Sequence, residues 1–431
     1  MSGVRRNDDG FVTNAALDGG RHFRPMEGME KIALPERADW PETARAHGFT
    51  FADMHGEPYW DETSAYRFTL EEIETGIEAP ATELHAMCRE AVDAILADEG
   101  KMERMAIPRA RWDFVASSWK AFHPELYGRM DLVYDGTGPA KLLEYNADTP
   151  TSLYESASLQ WEWLEQQVER GALHQGDDQF NRIHEALAER FADIFPADTD
   201  IHFAAAEGVA EDFATVEAMA WAAREGGMGA HYTDLGKIGL SDQGQFTDAE
   251  DRVIGTLFKL YPWEDAFLDD FGAAMATSGC RFLEPPWKAL VSNKAILPVL
   301  WEMFEGHPNL LPAFHLDDVA GALRDGTGGP AIFDRARDAM RSHVIKPVFS
   351  REGASVDIIA GGQPLEMAKD RAYDDHPKIV QAYAPLPMFD GFHPILGAWI
   401  VGETCVGLGI REDRAKITQD LSRFKPHLIR G

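Results

Sequence analysis

Cysteine is scarce. Cys88, Cys280 and Cys405 lie far apart, form no CxxC pair and cannot make a disulfide framework. Such usage suits a reducing compartment. Cys88, inside "HAMCREA", falls in a helical pattern and reads as core rather than nucleophile. Positive charge is also short: 41 Lys and Arg stand against 72 Asp and Glu, a net charge of −31. That balance disfavours nucleic acid as a partner, because binding needs a basic footprint. It suits solubility and is compatible with a cationic small substrate. No apolar run approaches the roughly 18 residues of a spanning helix. The start, "MSGVRRNDDGFV", has no apolar signal core. A soluble, cytoplasmic protein without a membrane partner is expected.

Familiar catalytic motifs are missing too. There is no HExxH or other paired-ligand histidine spacing, which argues against zinc hydrolysis. The absence of GxSxG lowers the case for an α/β-hydrolase. Neither GxxxxGK[ST] nor a GxGxxG in strand–helix context occurs. Internal repeats and low-complexity segments are absent.

What is there is a long chain of ordinary hydrophobic content, 431 residues and 45%, which predicts two or three lobes. Residues 1 to about 35 read as a polar, Gly-rich arm. Residues 36–120 read mainly helical, with the apolar spacing of "TLEEIETGIEAPATELHAMCREAVDAILAD" broken near Pro80. From 129 to about 280, a hairpin is followed by helices and strands in alternation, which argues for an α/β layer. From 281 the texture changes to a helix ending before Pro308, then strands. Among these, "KIVQAYAPLPMF", "HPILGAWIVGE" and "TCVGLGIRED" read as three antiparallel strands with turns between. The division is 1–120, 121–280 and 281–431.

The hairpin "RMDLVYDGTGPAKLLEYNADTP" carries the first chemistry. With residues 136–139 as the loop, Asp131 faces Glu144 and Arg129 faces Asn146. Side chains alternate with period two, so these four share one face. Met130, Leu132, Leu143 and Tyr145 take the other, as a core side. Opposed like charges are destabilising and need a cation. Two carboxylates and an amide oxygen suit Mg²⁺ rather than zinc, with water and phosphate oxygens completing its shell. Arg129 beside them suits a phosphate or a developing negative charge. The same pattern also fits a solvated polar face with Arg129 neutralising the acids.

Further along, "HVIKPVFSREGASV" sets a lysine at a strand end before a small-residue loop that could cradle phosphates or simply turn the chain. Lys294 opens an apolar helix, and Arg411 sits at a strand end beside Glu412 and Asp413.

Taken together, "LLEYNADTPTSLYE", "PPWKALVSNKAILPVLW", "IKPVFSREGASV" and "IREDRAKITQDLSRFKPH" resemble the glutathionylspermidine synthase family of ATP-grasp type. They occur in the family's order, from about residue 20 to the C-terminus. The likeness is to the standalone synthetase-like branch, without the cysteine amidase domain of bifunctional members. It implies an α+β, ATP-grasp fold with a preceding α/β (pre-ATP-grasp) substrate lobe and a helical N-terminal segment. It implies ATP and Mg²⁺, and ADP-forming ligation of a carboxylate to an amine through an acyl phosphate.

By motif, Asp131, Glu144 and Asn146 resemble the magnesium ligands. Arg129 and Arg411 resemble arginines at the transferred phosphate and the acyl phosphate. Lys294, Lys346 and Gln381 resemble nucleotide contacts, and the loop bearing Ser350 and Gly353 resembles the lid over the phosphates. Thr149 sits where the family contacts its thiol tripeptide, in a run that differs from that of the better-known synthases. Glu211 and Asp212 resemble an acidic pair near the acid and amine substrates, a pattern that equally suits acids complementing a helix N-terminus. Glutathione, or another peptide-like acid, and a polyamine-like amine are the implied partners. A ligase for another acid and amine, or a nucleotide-binding regulatory module without turnover, are the alternatives. The joint presence of these residues weighs against lost turnover.

Overall fold

The structure, a computed structural model, describes residues 28–46, 49–54, 56–418 and 422–431. Most of the expected N-terminal arm, residues 1–27, lies outside them. The rest of that arm contributes the strand Glu30–Ala33, paired with Ser64–Phe68, which also pairs in parallel with the C-terminal strand His427–Ile429.

Three larger sheets organise the chain. The central one is antiparallel, in the spatial order Arg423–Lys425, Thr404–Asp413, His393–Val401, Tyr127–Val133, Lys141–Asn146. Strands from either side of residue 280 share it. The helix Ala79–Leu96 turns Ala81, Leu84, Cys88, Ala91, Val92 and Ile95 inward at helical spacing. Burial pushes the Cys88 thiol up to about 12, so it is core. Pro80 does not break this helix as its sequence suggests. A π turn, Glu72–Glu78, runs directly into it and the helix continues through Pro80; the change of hydrogen-bond register falls where proline has no N–H to donate.

A second antiparallel sheet runs Ala313–His315, Lys378–Ala382, His343–Pro347, Asp357–Ala360, Gln363–Met367. This corrects one expectation. Lys378–Ala382 does not continue into the next two strands but belongs to a different sheet. Pro385 and Pro387 stand between, and proline cannot donate to a ladder. The third sheet is parallel, in the order Arg281–Leu283, Thr256–Lys259, Asp200–Ala205, Gly229–Asp234. Segments beyond the C-terminal ends of two of its strands, 206–212 and 260–265, line a cleft, the usual binding edge of parallel sheets. Among the described residues no helix is long and apolar enough to cross a membrane.

The hairpin pairs as its alternation predicts at the open end: Arg129 with Asn146, Met130 with Tyr145, Asp131 with Glu144. It then departs from that register. A bulge makes Leu132 pair with Leu142, so Leu142 is buried and Leu143 faces the cleft rather than the core. An extra residue on one strand switches the faces beyond it.

Candidate active site

Every residue singled out from the sequence lines one cleft of about 930 Å³: Arg129, Asp131, Glu144, Asn146, Thr149, Glu211, Asp212, Lys294, Lys346, Ser350, Gly353, Gln381 and Arg411. The hairpin supplies its floor. Asp131 is buried, with Arg129 Nε 2.7 Å from Oδ1 and Arg411 Nη2 2.8 Å from Oδ2. Arg129 also donates to the Thr151 carbonyl at 2.9 Å. It lies flat because the strand across from it carries glycine. A Cβ at Gly397 would stand 2.7 Å from Arg129 Cδ.

Glu144 meets Lys294 Nζ at 3.0 Å. Burial pulls its carboxyl up, but Lys294, Lys346 and Arg129 outweigh that and hold it down at about 2. Asn146 Nδ2 reaches Glu144 at 3.5 Å. Lys294 Nζ also donates to the Ser350 carbonyl at 2.9 Å. Lys346 donates to the Leu143 carbonyl at 2.9 Å and to Gln381 Oε1 at 2.8 Å, and Gln381 donates to the Leu142 carbonyl at 3.0 Å. The bulge therefore turns two hairpin carbonyls toward this pair. Burial lowers Lys346 to about 8; Glu144 opposes the shift and Lys294 adds to it.

The Ser350–Ser355 loop is docked, not open. Gly353 has φ +69° and lies so close to Ile417 and Thr418 that no side chain fits. Arg351 reaches across the cleft, Nη1 to Thr149 Oγ1 at 3.1 Å and Nη2 to Glu264 at 2.6 Å.

Glu211 and Asp212 occupy the first turn of the helix Ala210–Glu225 at the other end of the cleft. Burial pushes Asp212 up, against the pull of Arg351. Beneath, Glu155 is fully buried and accepts from the Tyr59 hydroxyl at 2.7 Å. Burial and then Glu211 push Glu155 up to about 8.

Arg351, Glu264 and Glu155 escaped the sequence reading. Arg351 lies within the quoted loop, but its partners are far away in sequence. Glu155 reads as one more polar position in the helix after the hairpin.

A divalent cation fits the hairpin through its donor chemistry. Asp131, Glu144 and Asn146 offer only oxygen on the cleft side of adjacent positions. Among the described residues no three His, Cys, Asp or Glu converge to hold a metal by themselves. Protein groups could supply only part of its shell, the usual condition of Mg²⁺ beside phosphate.

The fold agrees with the comparisons. The chain matches the family described as glutathionylspermidine synthase preATP-grasp over residues 31–430, and it belongs to that family of ligases. A Haemophilus influenzae protein named "Putative acid--amine ligase" is 37% identical over 413 residues, covering 93% of this chain and 99% of that one. Trypanothione synthetase of Crithidia fasciculata is 25% identical over 367 residues, 79% of this chain and 53% of that one. The bifunctional glutathionylspermidine synthetase/amidase of Escherichia coli is 23% identical over 405 residues, 88% of this chain and 61% of that one. This chain thus spans little more than half the length of those two synthetases. A glutathione synthetase-like effector from Globodera pallida shares the fold, with a TM-score of 0.51 at 11% identity, covering 85% of this chain and 89% of that one. The expected α+β fold and ligase family both stand.

Proposed function

We propose that this chain is an ATP- and Mg²⁺-dependent carboxylate–amine ligase that forms an amide bond. The observation that carries the reading is the hairpin face. Asp131, Glu144 and Asn146 share the cleft with four cations, Arg129, Lys294, Lys346 and Arg411. Phosphoryl transfer is mostly positioning and charge stabilisation, and that grouping supplies both. Asp131, Glu144 and Asn146 would hold Mg²⁺, which neutralises phosphate charge when bound. Lys294, Lys346 and Gln381 bind the nucleotide. Arg129 and Arg411 stabilise charge on the transferring group. The loop with Ser350 and Gly353 covers the phosphates and keeps water from the activated acid.

The acid is glutathione or a peptide-like carboxylate, contacted by Thr149. The amine is polyamine-like, its ammonium drawn to Glu211 and Asp212. The carboxylate takes the γ-phosphoryl group and the amine then displaces phosphate, so ADP and phosphate leave as one amide forms. The three cysteines are free, which suits work in the cytoplasm.

The test is ADP release from Mg·ATP by the purified protein, with glutathione and spermidine added singly and together. Release that requires both, with a product of the mass of the two joined less water, is expected. No ADP with any acid and amine pair, despite bound nucleotide, would leave the family standing and overturn the ligase reading.

A further inference from the structure

One buried cluster beside the cleft has no place in the mechanism above. Asp148 follows the hairpin by two residues and is 2% exposed; Lys259 ends a strand of the parallel sheet and is also 2% exposed. Lys259 Nζ donates to Asp148 Oδ1 at 2.9 Å and to the Tyr261 carbonyl at 2.8 Å. It also lies 4.0 Å from the centre of the Trp263 ring. The other carboxylate oxygen, Oδ2, accepts from the Trp263 backbone N–H at 2.8 Å. Each partner is thus satisfied on several sides, as a buried ion pair must be.

The position of this pair matters more than its strength. Residue 149 follows Asp148 directly, and residue 264 follows Trp263 directly. Thr149 and Glu264 are the two groups that Arg351 grips from the covering loop. The clamp therefore fixes the spacing of both acceptors across two sheets. Burial of an ion pair is poor evidence for stability, since an apolar pair of equal volume often serves as well. What the hydrogen-bonded pair adds is direction, since an apolar pair of equal volume does not orient the groups beside it.

We propose that Asp148 and Lys259 are positioning residues, a buried clamp that sets Thr149 and Glu264 at the separation Arg351 spans and so holds the Ser350–Ser355 loop over the cleft. This rests on the ligase reading only for its purpose, since the geometry is that of the chain alone.

The test is hydrogen–deuterium exchange of backbone amides in residues 350–355, on the full chain, with and without Mg·ADP. Arg351→Ala should raise exchange there at least about tenfold, the equivalent of 1.4 kcal/mol. Asp148→Asn, which keeps an acceptor for the Trp263 N–H but removes the charge, should raise it comparably. Asp148→Asn with Arg351→Ala should exchange no faster than Arg351→Ala alone, because both changes break one grip. A staple that merely stabilises the fold would add to the effect of Arg351→Ala. Unchanged loop exchange in a folded Asp148→Asn protein, or multiplying effects in the double variant, would overturn the clamp. Should Asp148→Asn fail to fold, Lys259→Met, which keeps the length of the side chain and removes its ammonium, carries the same expectation. If Mg·ADP protects no cleft segment in the unaltered protein, the ligase reading fails while the clamp result stands.

Discussion

The two ends of the cleft treat carboxylates in opposite ways. On the hairpin, Asp131 and Glu144 are surrounded by Arg129, Arg411 and Lys294, and Glu144 is held well below its ordinary range. At the far end, Asp212 and Glu155 are pushed upward, Glu155 in part by Glu211. Burial raises both Glu144 and Glu155, but the cations around Glu144 outweigh it, whereas at Glu155 the neighbouring Glu211 adds to it. An anion bearing its own counter-cation suits the first end, where fixed cations already balance the acids. A lone cation suits the second, where acids crowd each other. One cleft with two such ends suits the proposed reaction, in which a phosphorylated acid is joined to an amine.

The comparison breaks first at Glu144. Glu144→Gln keeps the shape and removes the charge that balances Lys294 and Lys346. ADP formation should fall to background, a loss of about a thousandfold or more, while the far-ultraviolet circular dichroism stays that of the unaltered protein. Full activity in that variant would remove the metal assignment and leave the hairpin a neutralised polar face. A smaller effect is expected at Lys346, whose ammonium bridges the bulged strand and Gln381. Lys346→Ala should raise the dissociation constant for Mg·ATP by about tenfold or more in calorimetry. An unchanged constant would count against its part in nucleotide binding.

The first test falls on a residue whose placement was legible in the sequence for a physical reason, whereas pattern set Lys346 only at a strand end and its place at the nucleotide came from resemblance. Alternation with period two, anchored by Gly-Thr-Gly-Pro, fixes which residues oppose each other near the open end of the hairpin. The bulge was not legible, because Leu142 and Leu143 are the same residue type and either can serve the core. The parallel sheet could be read from strand–helix alternation, whereas the transfer of Lys378–Ala382 to another sheet could not. Three antiparallel runs look alike whether or not their ladders are shared. Arg351 was hidden by distance along the chain, since its partners lie 202 and 87 residues away. Local pattern reaches faces and registers, and long-range charge pairing lies beyond it.

The smallest expected effect sharpens the acid-rich end. Burial against Tyr59 and then Glu211 push the Glu155 carboxyl up, and the Tyr59 hydrogen bond and Arg129 pull it down, for a value of about 8 against an ordinary 4.5. Between about 4.5 and 8 the folded protein then holds a proton that the unfolded chain has lost. Stability must fall as pH rises through that window. Glu155→Gln removes the titration and keeps the volume. The Tm of the unaltered protein should therefore drop relative to the variant by about 2 °C or more between pH 5 and pH 8. Parallel curves would show that Glu155 does not keep its proton through this window. The same proton should leave when an ammonium settles beside Glu211, because a cation lowers the cost of a second charge. Spermidine binding measured calorimetrically at pH 7.5, in buffers of different ionisation enthalpy, should release protons in the unaltered protein and fewer in Glu155→Gln. Equal release from both would sever the amine from this acid pair while leaving the hairpin end untouched.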